Sequence, residues 1–366
     1  MHALKRFGTA FGGYKMMENY PVPECGPDDI ILEIKAAAIC GADMKHWGVD
    51  NGYDDTNITP DQQQSVRGHE FAGEIVKVGA NVKDWHIGQR VVSDNSAHVC
   101  GVCPACEQGD FLCCEHKVNL GLDNNTWGGG FSKYCKVPGE ILAIHKHAIW
   151  EIPEGIKYEE ACVLDPICNA YKAVAQQSHL IPGQDVVVFG TGPLGLFSVQ
   201  VAKLMGAVNI VMIGLDDDVK VRFGVAKELG ATHCVNGSKE DVVARCTEIC
   251  GRDNLGLVIE CSGANIALKQ AIEMTRPNAE IVRVGMGFKP LEFSINDITA
   301  WNKSIIGHMA YDSTSWRNCI RLLQSGQIKV QPMITHRLGL SQWQEGFDKM
   351  AKKEAIKVIF HYDYED

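Results

Sequence analysis

Apolar and polar positions follow two different patterns along this chain. From Met1 to about Pro166, short apolar runs and alternations are punctuated by Gly and Pro, as in Ile30-Ile-Leu-Glu-Ile-Lys35, Gly73-Glu-Ile-Val-Lys-Val78 and Gln89-Arg-Val-Val-Ser93. Such segments predict strands, and their close spacing predicts a small barrel-like β domain. From about Ile167 to Ala310, continuous apolar runs alternate with longer helical segments. Val186–Phe189, Ile210–Ile213, Leu257–Glu260 and Ile281–Val284 read as strands of an α/β doubly wound parallel sheet. After Tyr311 the pattern predicts a helix over Trp316–Ser325, a short strand near Val330–Ile334, another helix and a last strand, Ile356–Phe360. This tail is expected to return to the first domain, giving residues 1–166 with 311–366 as one domain and 167–310 as the other.

The second domain opens on Val186-Val-Val-Phe-Gly-Thr-Gly-Pro-Leu-Gly195. Gly190, Gly192 and Gly195 fit the spacing G-x-G-x-x-G, set between a strand and a helix. A strand that stops, a turn free of side chains and a helix N-terminus with unpaired N–H groups together receive a pyrophosphate. Pro193 and Leu194 complete the turn. In this frame the motif predicts a dinucleotide site.

Composition narrows the partners. A chain of 366 residues with 45% hydrophobic and 22% charged residues is ordinary globular material for two domains. A net charge of −10 argues against nucleic acid or an anionic membrane surface. The start, Met-His-Ala-Leu-Lys-Arg-Phe, has no apolar core of a secretory signal, and fifteen cysteines then point to reduced thiols and metal ligands in cytoplasm. The longest uncharged run, Val186–Ala202, holds Pro193 and three glycines, and fits the nucleotide turn better than a membrane span.

Cys100, Cys103, Cys106 and Cys114 place four thiols in one compact loop. Zinc takes a closed tetrahedral shell of sulfur, and C-x-x-C steps let one turn supply adjacent corners. Cys113 competes for the fourth corner and is held as a spectator. Four sulfurs leave no open position, so the expected role is structural. A second set is dispersed: Cys40-Gly-Ala-Asp43, Gly68-His69-Glu70 and Leu164-Asp165-Pro166. Singly, these are also a buried thiol, a core histidine and a helix cap.

Taken in order with the Cys loop, with Gly130-Phe131-Ser-Lys-Tyr134 ahead of Val137-Pro138, and with the nucleotide turn, they resemble the zinc-dependent medium-chain dehydrogenases of the alcohol dehydrogenase superfamily. The sorbitol and threonine dehydrogenase branch is the most similar in pattern, over nearly the whole chain including Thr335-His336-Arg337. The resemblance implies a GroES-like catalytic domain beside a Rossmann domain, two zinc ions per chain, NAD or NADP, a small alcohol substrate, and a homodimer or homotetramer. It implies a catalytic zinc on Cys40, His69 and a carboxylate, Glu70 or Asp165, with Asp43 orienting the ligands. The implied reaction moves hydride from a secondary alcohol of a polyol, sugar alcohol or sugar acid to a nicotinamide. The alternatives are an anionic sugar acid or sugar phosphate with NADP, and a non-catalytic zinc and nucleotide sensor. Where the family commonly has a hydroxyl two residues after the first zinc cysteine, this chain has Ala42, so proton release must use water, Glu70 or His46.

Near the end of the second strand stand Gly214 and then Asp216, Asp217 and Asp218, about twenty residues past the glycine turn, where an acidic side chain accepts from the ribose hydroxyls of NAD. Lys220 and Arg222 could serve an extra phosphate, but three aspartates would repel it, and NAD is favoured. Ser262, in Glu260-Cys-Ser-Gly263, and Val284 and Gly285, in Val284-Gly-Met-Gly287, are expected beside the nicotinamide half. Arg67 and Lys45, close to the proposed ligands, could face the substrate and favour a carboxylate or phosphate, under a polar loop spanning Asp50–Gln64.

Overall fold

The computed structural model describes residues 1–7, 13–47, 64–123, 126–287 and 289–365. It divides into two compact units: Met1–Asp165 with Asp312–Thr314 and Ile334–Asp366, and Pro166–Tyr311 with Ser315–Met333. The helix Ser313–Gln324 thus lies mostly in the second unit and not, as its position in the tail suggests, in the first. Its buried stripe explains this: Trp316, Cys319, Ile320 and Leu323 face inward, Ser315 donates to Gln176 Oε1 at 2.8 Å, and Asn318 donates to the Tyr171 hydroxyl at 2.9 Å.

The first unit is built on a mainly antiparallel sheet. Its strands run in the order Ile334–Gly339, Lys357–His361, Ile30–Ala38, Glu70–Val78, Arg90–Ser93 and Ile149–Glu151, and Tyr134–Val137 pairs with Ile30–Ala38. Bulges between Ile31 and Leu32 and between Ile34 and Ala36 curl the two longest strands, as bulges do where a sheet turns toward a barrel. The core contains Phe71, Phe131, Phe347 and Phe360, with Phe131 edge-on to Phe360 at 5.4 Å between centroids. One end of this sheet carries the chemistry, because register fixes who meets whom there. Ala38 faces Glu70 on one side and Ile359 on the other, so Cys40, Glu70 and Lys357 converge just beyond.

The second unit is a six-stranded, all-parallel sheet in the order His233–Asn236, Ile210–Gly214, Val186–Phe189, Leu257–Glu260, Glu280–Arg283, Ser304–Gly307. The order reverses direction between Val186–Phe189 and Leu257–Glu260, which places a ligand crevice beyond their carboxyl ends. Val187, Val211, Val258 and Ile281 fill one face. The doubly wound expectation holds, and the sheet has two strands more than the apolar runs indicate. His233–Asn236 is only partly buried and Ser304–Gly307 is largely exposed, so neither has a continuous apolar run to betray it. The helix Leu164–Tyr171 passes directly into a π-helical stretch, Lys172–Gln177. Among the described residues no helix is long and apolar enough to cross a membrane.

Candidate active site

In the first unit, Cys40 follows the strand Ile30–Ala38, Asp43 begins the 3-10 turn Asp43–His46, and His69 and Glu70 open the strand Glu70–Val78. The donor atoms of Cys40, His69 and Glu70 all lie within 4.8 Å of one another. Asp165 stands outside that group. It accepts from Asn95 Nδ2 at 3.2 Å, yet its charge reaches both Cys40 and Glu70. Asn95 holds this position with a left-handed backbone, φ 60°, which asparagine tolerates better than most residues.

The electrostatics of this corner favour a cation. Burial raises the Cys40 thiol, and Asp43 and Asp165 raise it further against the pull of Lys357. Burial likewise lifts Glu70 well above the usual carboxylate range, with Cys40 and Asp165 adding to the lift and Lys357 opposing it. Lys357 touches Glu70 Oε2 and donates to the Ile39 carbonyl at 2.9 Å. Burial works against its charge, but Glu70 and Cys40 hold its ammonium above the ordinary value. Direct contact decides the state of the pair: a proton on Glu70 would leave Lys357 buried without a counter-charge, so the pair is ionised. Glu70 Oε1 still has no hydrogen-bond partner among the described residues. A carboxylate with one orphaned oxygen, a thiol and an imidazole, with Asp165 acting on the first two, fit zinc as a donor set.

Lys357 is a residue the sequence reading missed. Its signal was available: a lone lysine inside Ala355-Ile-Lys357-Val-Ile-Phe360, where a buried strand has no reason to place a charge. Arg67 is a correction. It is buried, donating to Leu122 O at 3.1 Å and Ala42 O at 3.4 Å, with Nε 3.4 Å from Asp43 Oδ1. A guanidinium with these partners is not free to meet a substrate anion. The side chains of Lys45 and His46 and residues 48–63, most of the polar loop beginning at Asp50, lie outside the described residues.

Cys100, Cys103, Cys106 and Cys114 form the second cluster, again with all donor atoms within 4.8 Å. Cys103 leads into the short helix Pro104–Glu107, with its sulfur 3.5 Å from that of Cys106. The backbone N–H of Val102 leads in drawing the Cys100 thiol down to about 6, the state a metal ligand needs. Cys113 is exposed and stands outside this cluster.

In the second unit, every residue expected at the nucleotide lies at the carboxyl edge of the parallel sheet. Gly190 has φ 94°, and a Cβ on Gly195 would lie 1.8 Å from the Gly190 carbonyl oxygen, so the first helical turn can close only on glycine. Gly192 caps the helix Pro193–Leu204, with Pro193 where no N–H is required and Leu194 in its first turn. Asp216 is half-exposed and accepts from Asn236 Nδ2 at 2.7 Å and from Lys239 Nζ at 3.2 Å. Those two contacts, led by Asn236, hold its carboxyl below the usual range. Arg222 is paired with Asp218 at 3.4 Å. Ser262 donates to Glu260 Oε1 at 2.5 Å, while the N–H groups of Val284 and Gly285 both donate to the Glu260 carbonyl at 2.8 Å.

Residues 26–147 match the profile of the alcohol dehydrogenase GroES-like domain, and residues 193–325 that of the zinc-binding dehydrogenases. The chain is 76% identical, over 100% of both sequences, to the zinc-type alcohol dehydrogenase-like protein YdjL of Escherichia coli K12. It is 31% identical to the D-arabitol-phosphate dehydrogenase of Enterococcus avium, covering 97% of this chain and 96% of that one. The crystal structure of 2R,3R-butanediol dehydrogenase from Bacillus subtilis superposes with a TM-score of 0.83 at 29% identity, over 99% of each chain. The chain therefore belongs to the zinc-dependent medium-chain dehydrogenases of the alcohol dehydrogenase superfamily, enzymes that use zinc and a nicotinamide dinucleotide.

Proposed function

We propose that this protein oxidises a secondary alcohol of a polyol or sugar derivative, passing hydride to the nicotinamide of NAD and releasing a proton. The observation that carries the reading is the convergence of Cys40, His69 and Glu70, beside Asp165, at one end of the first unit's sheet. Cys40 and His69 would hold the catalytic zinc with a carboxylate, Glu70 being the one inside the cluster. When bound, zinc supplies a Lewis acid that stabilises negative charge developing on the alcohol oxygen. The chain's own residues do the rest. Asp43 orients the ligand residues, Lys357 balances the excess negative charge, and the Gly190–Gly195 turn receives the pyrophosphate. Ala42 offers no hydroxyl for proton transfer, so Glu70 or water takes that part.

Asp216, with Asp217 and Asp218 beside it, supports NAD, since Arg222 is already engaged by Asp218. The Cys100, Cys103, Cys106 and Cys114 cluster would hold a second, structural zinc. A phosphorylated polyol is the second reading, and the Enterococcus avium relative supports it. A homodimer or homotetramer is the proposed assembly, supported by the exposed edge strand Ser304–Gly307 with Trp301, Ile305 and Met309 beside and on it. The test is a panel of polyols, sugar acids and polyol phosphates with NAD and NADP, followed at the absorbance of the reduced nicotinamide, alongside zinc content. Two zincs per chain and NAD reduction by a polyol support the reading. One zinc and no turnover with any member of the panel would leave a nucleotide-binding scaffold instead.

A further inference from the structure

Three buried polar atoms near the metal cluster lack a hydrogen-bond partner among the described residues: Asp43 Oδ1, Arg67 Nε and His69 Nδ1. They face one another. Arg67 Nε lies 3.4 Å and His69 Nδ1 4.0 Å from the same Asp43 oxygen. The other oxygen, Oδ2, accepts from the Cys40 N–H at 3.0 Å. Asp43 therefore binds the Cys40 segment through its backbone N–H and faces the ring of His69. Asp43 is itself fully buried, and a carboxylate there needs a counter-charge.

Arg67 is that counter-charge, and it is built in on every side. Its terminal nitrogens are taken by the carbonyls of Leu122 and Ala42, which fix the guanidinium plane and leave Nε directed at Asp43. Tyr14 closes the cluster, donating to the main-chain oxygen of Asp43 at 2.7 Å. Arginine keeps its charge under burial, whereas lysine is a point charge without the fork.

We propose that Arg67 is a positioning residue for the catalytic metal. It fixes Asp43 in place, and the same Asp43 oxygen in turn faces the His69 ring and sets where the imidazole can lie. This rests on the metal reading given above. The residue acts through Asp43 and His69 and touches neither substrate nor cofactor.

The experiment follows metal release to a chelator from the whole protein as purified, for the native sequence, Arg67→Met and Arg67→Lys, with the absorption spectrum of cobalt-exchanged protein as a second readout. A native protein with only one zinc would dispose of the metal reading itself, whatever Arg67 does. With two zincs present, Arg67→Met is expected to hold one as tightly as before and to lose the other about 10-fold more readily, the lower end of what removing a supporting partner costs. Arg67→Lys should recover part of that loss, and the cobalt bands should move in Arg67→Met. Release curves and cobalt bands identical to those of the native protein in both variants would overturn the proposal. So would parallel loss of both metals with unfolding in both variants, which marks a residue that only holds the fold.

Discussion

Cys103 and Glu70 are proposed metal ligands of two different kinds, and the losses on removing each should look different. Cys103 belongs to a closed set of sulfurs whose binding energy is folding energy. Cys103→Ser is expected to lower the melting temperature of the first unit and to lose one zinc, with NADH affinity, measured by fluorescence titration, within about 2-fold of native. Glu70→Ala and Asp165→Ala separate the two carboxylates. The variant that removes a direct ligand should lose the catalytic zinc outright, while the other should lose about 10–100-fold in metal affinity or activity, as supporting groups do. Full zinc in both variants would refute the assignment. The sequence made Cys40, His69 and the four-sulfur loop legible because a thiol or imidazole at motif spacing carries its chemistry with it. Arg67 is ambiguous in sequence for the opposite reason: a cation next to a ligand looks the same whether it meets solvent, substrate or a buried aspartate. Only the fold shows Asp43 at 3.4 Å.

At the scale of elements, the turn joining Val186–Phe189 to Pro193–Leu204 is set by backbone contact. A methyl at Gly195 would meet the Gly190 carbonyl at 1.8 Å, and the clash is with main chain, which cannot rotate away. Gly195→Ala should cost about 3 kcal/mol of unfolding free energy, at the upper end for overpacking, and should weaken NADH binding by at least about 10-fold. Chemical denaturation and fluorescence titration read the two effects. Unchanged binding would mean that the turn does not carry the pyrophosphate. This element was readable because both its strand and its glycines are local signals. The edge strand Ser304–Gly307 was not, since its partner lies on one side only and its side chains are mostly exposed. Pairing with a parallel neighbour far along the chain leaves no periodic trace in such a segment.

For the molecule as a whole, acid sensitivity follows from the second unit, and the proposed assembly can be tested there. His308 is wedged between the side-chain amides of Gln177 at 2.6 Å and Asn169 at 3.3 Å, and burial, with Lys172 adding, pushes its pKa from 6.5 down to about 4. The unfolded chain therefore binds the proton first as pH falls. Stability from this group is complete above about 6.5 and is lost as pH drops toward about 4, by up to about 3 kcal/mol. His308→Gln should flatten that part of the curve of melting temperature against pH; an unaltered slope between pH 6.5 and 4 would exclude His308 as its source. Assembly is tested on the edge strand: Ile305→Lys should shift the native oligomer toward smaller species in sedimentation velocity. An unshifted distribution would place the subunit contact elsewhere.

The π-helical stretch Lys172–Gln177 has a bearing on tolerance to changes in chain length. Each of its turns spans one residue more than an α turn, so the helix beginning at Leu164 carries a residue beyond what α geometry accommodates. A surplus residue of this kind is carried by local widening of the helix while the residues on either side keep their places. Asp165 lies before it, and Gln176 and Gln177, tied to Ser315 and His308, lie at its far end. Removing Ala175, half-buried where Lys172, Ala173 and Val174 before it are buried, should let the segment relax to an α-helix, with loss of stability well below that of a deletion in the preceding α turn. The comparison needs only two single-residue deletions, Ala175 and Ala170, and their melting temperatures. If the two fell equally, the extra residue would be integral to the packing and not a locally accommodated surplus.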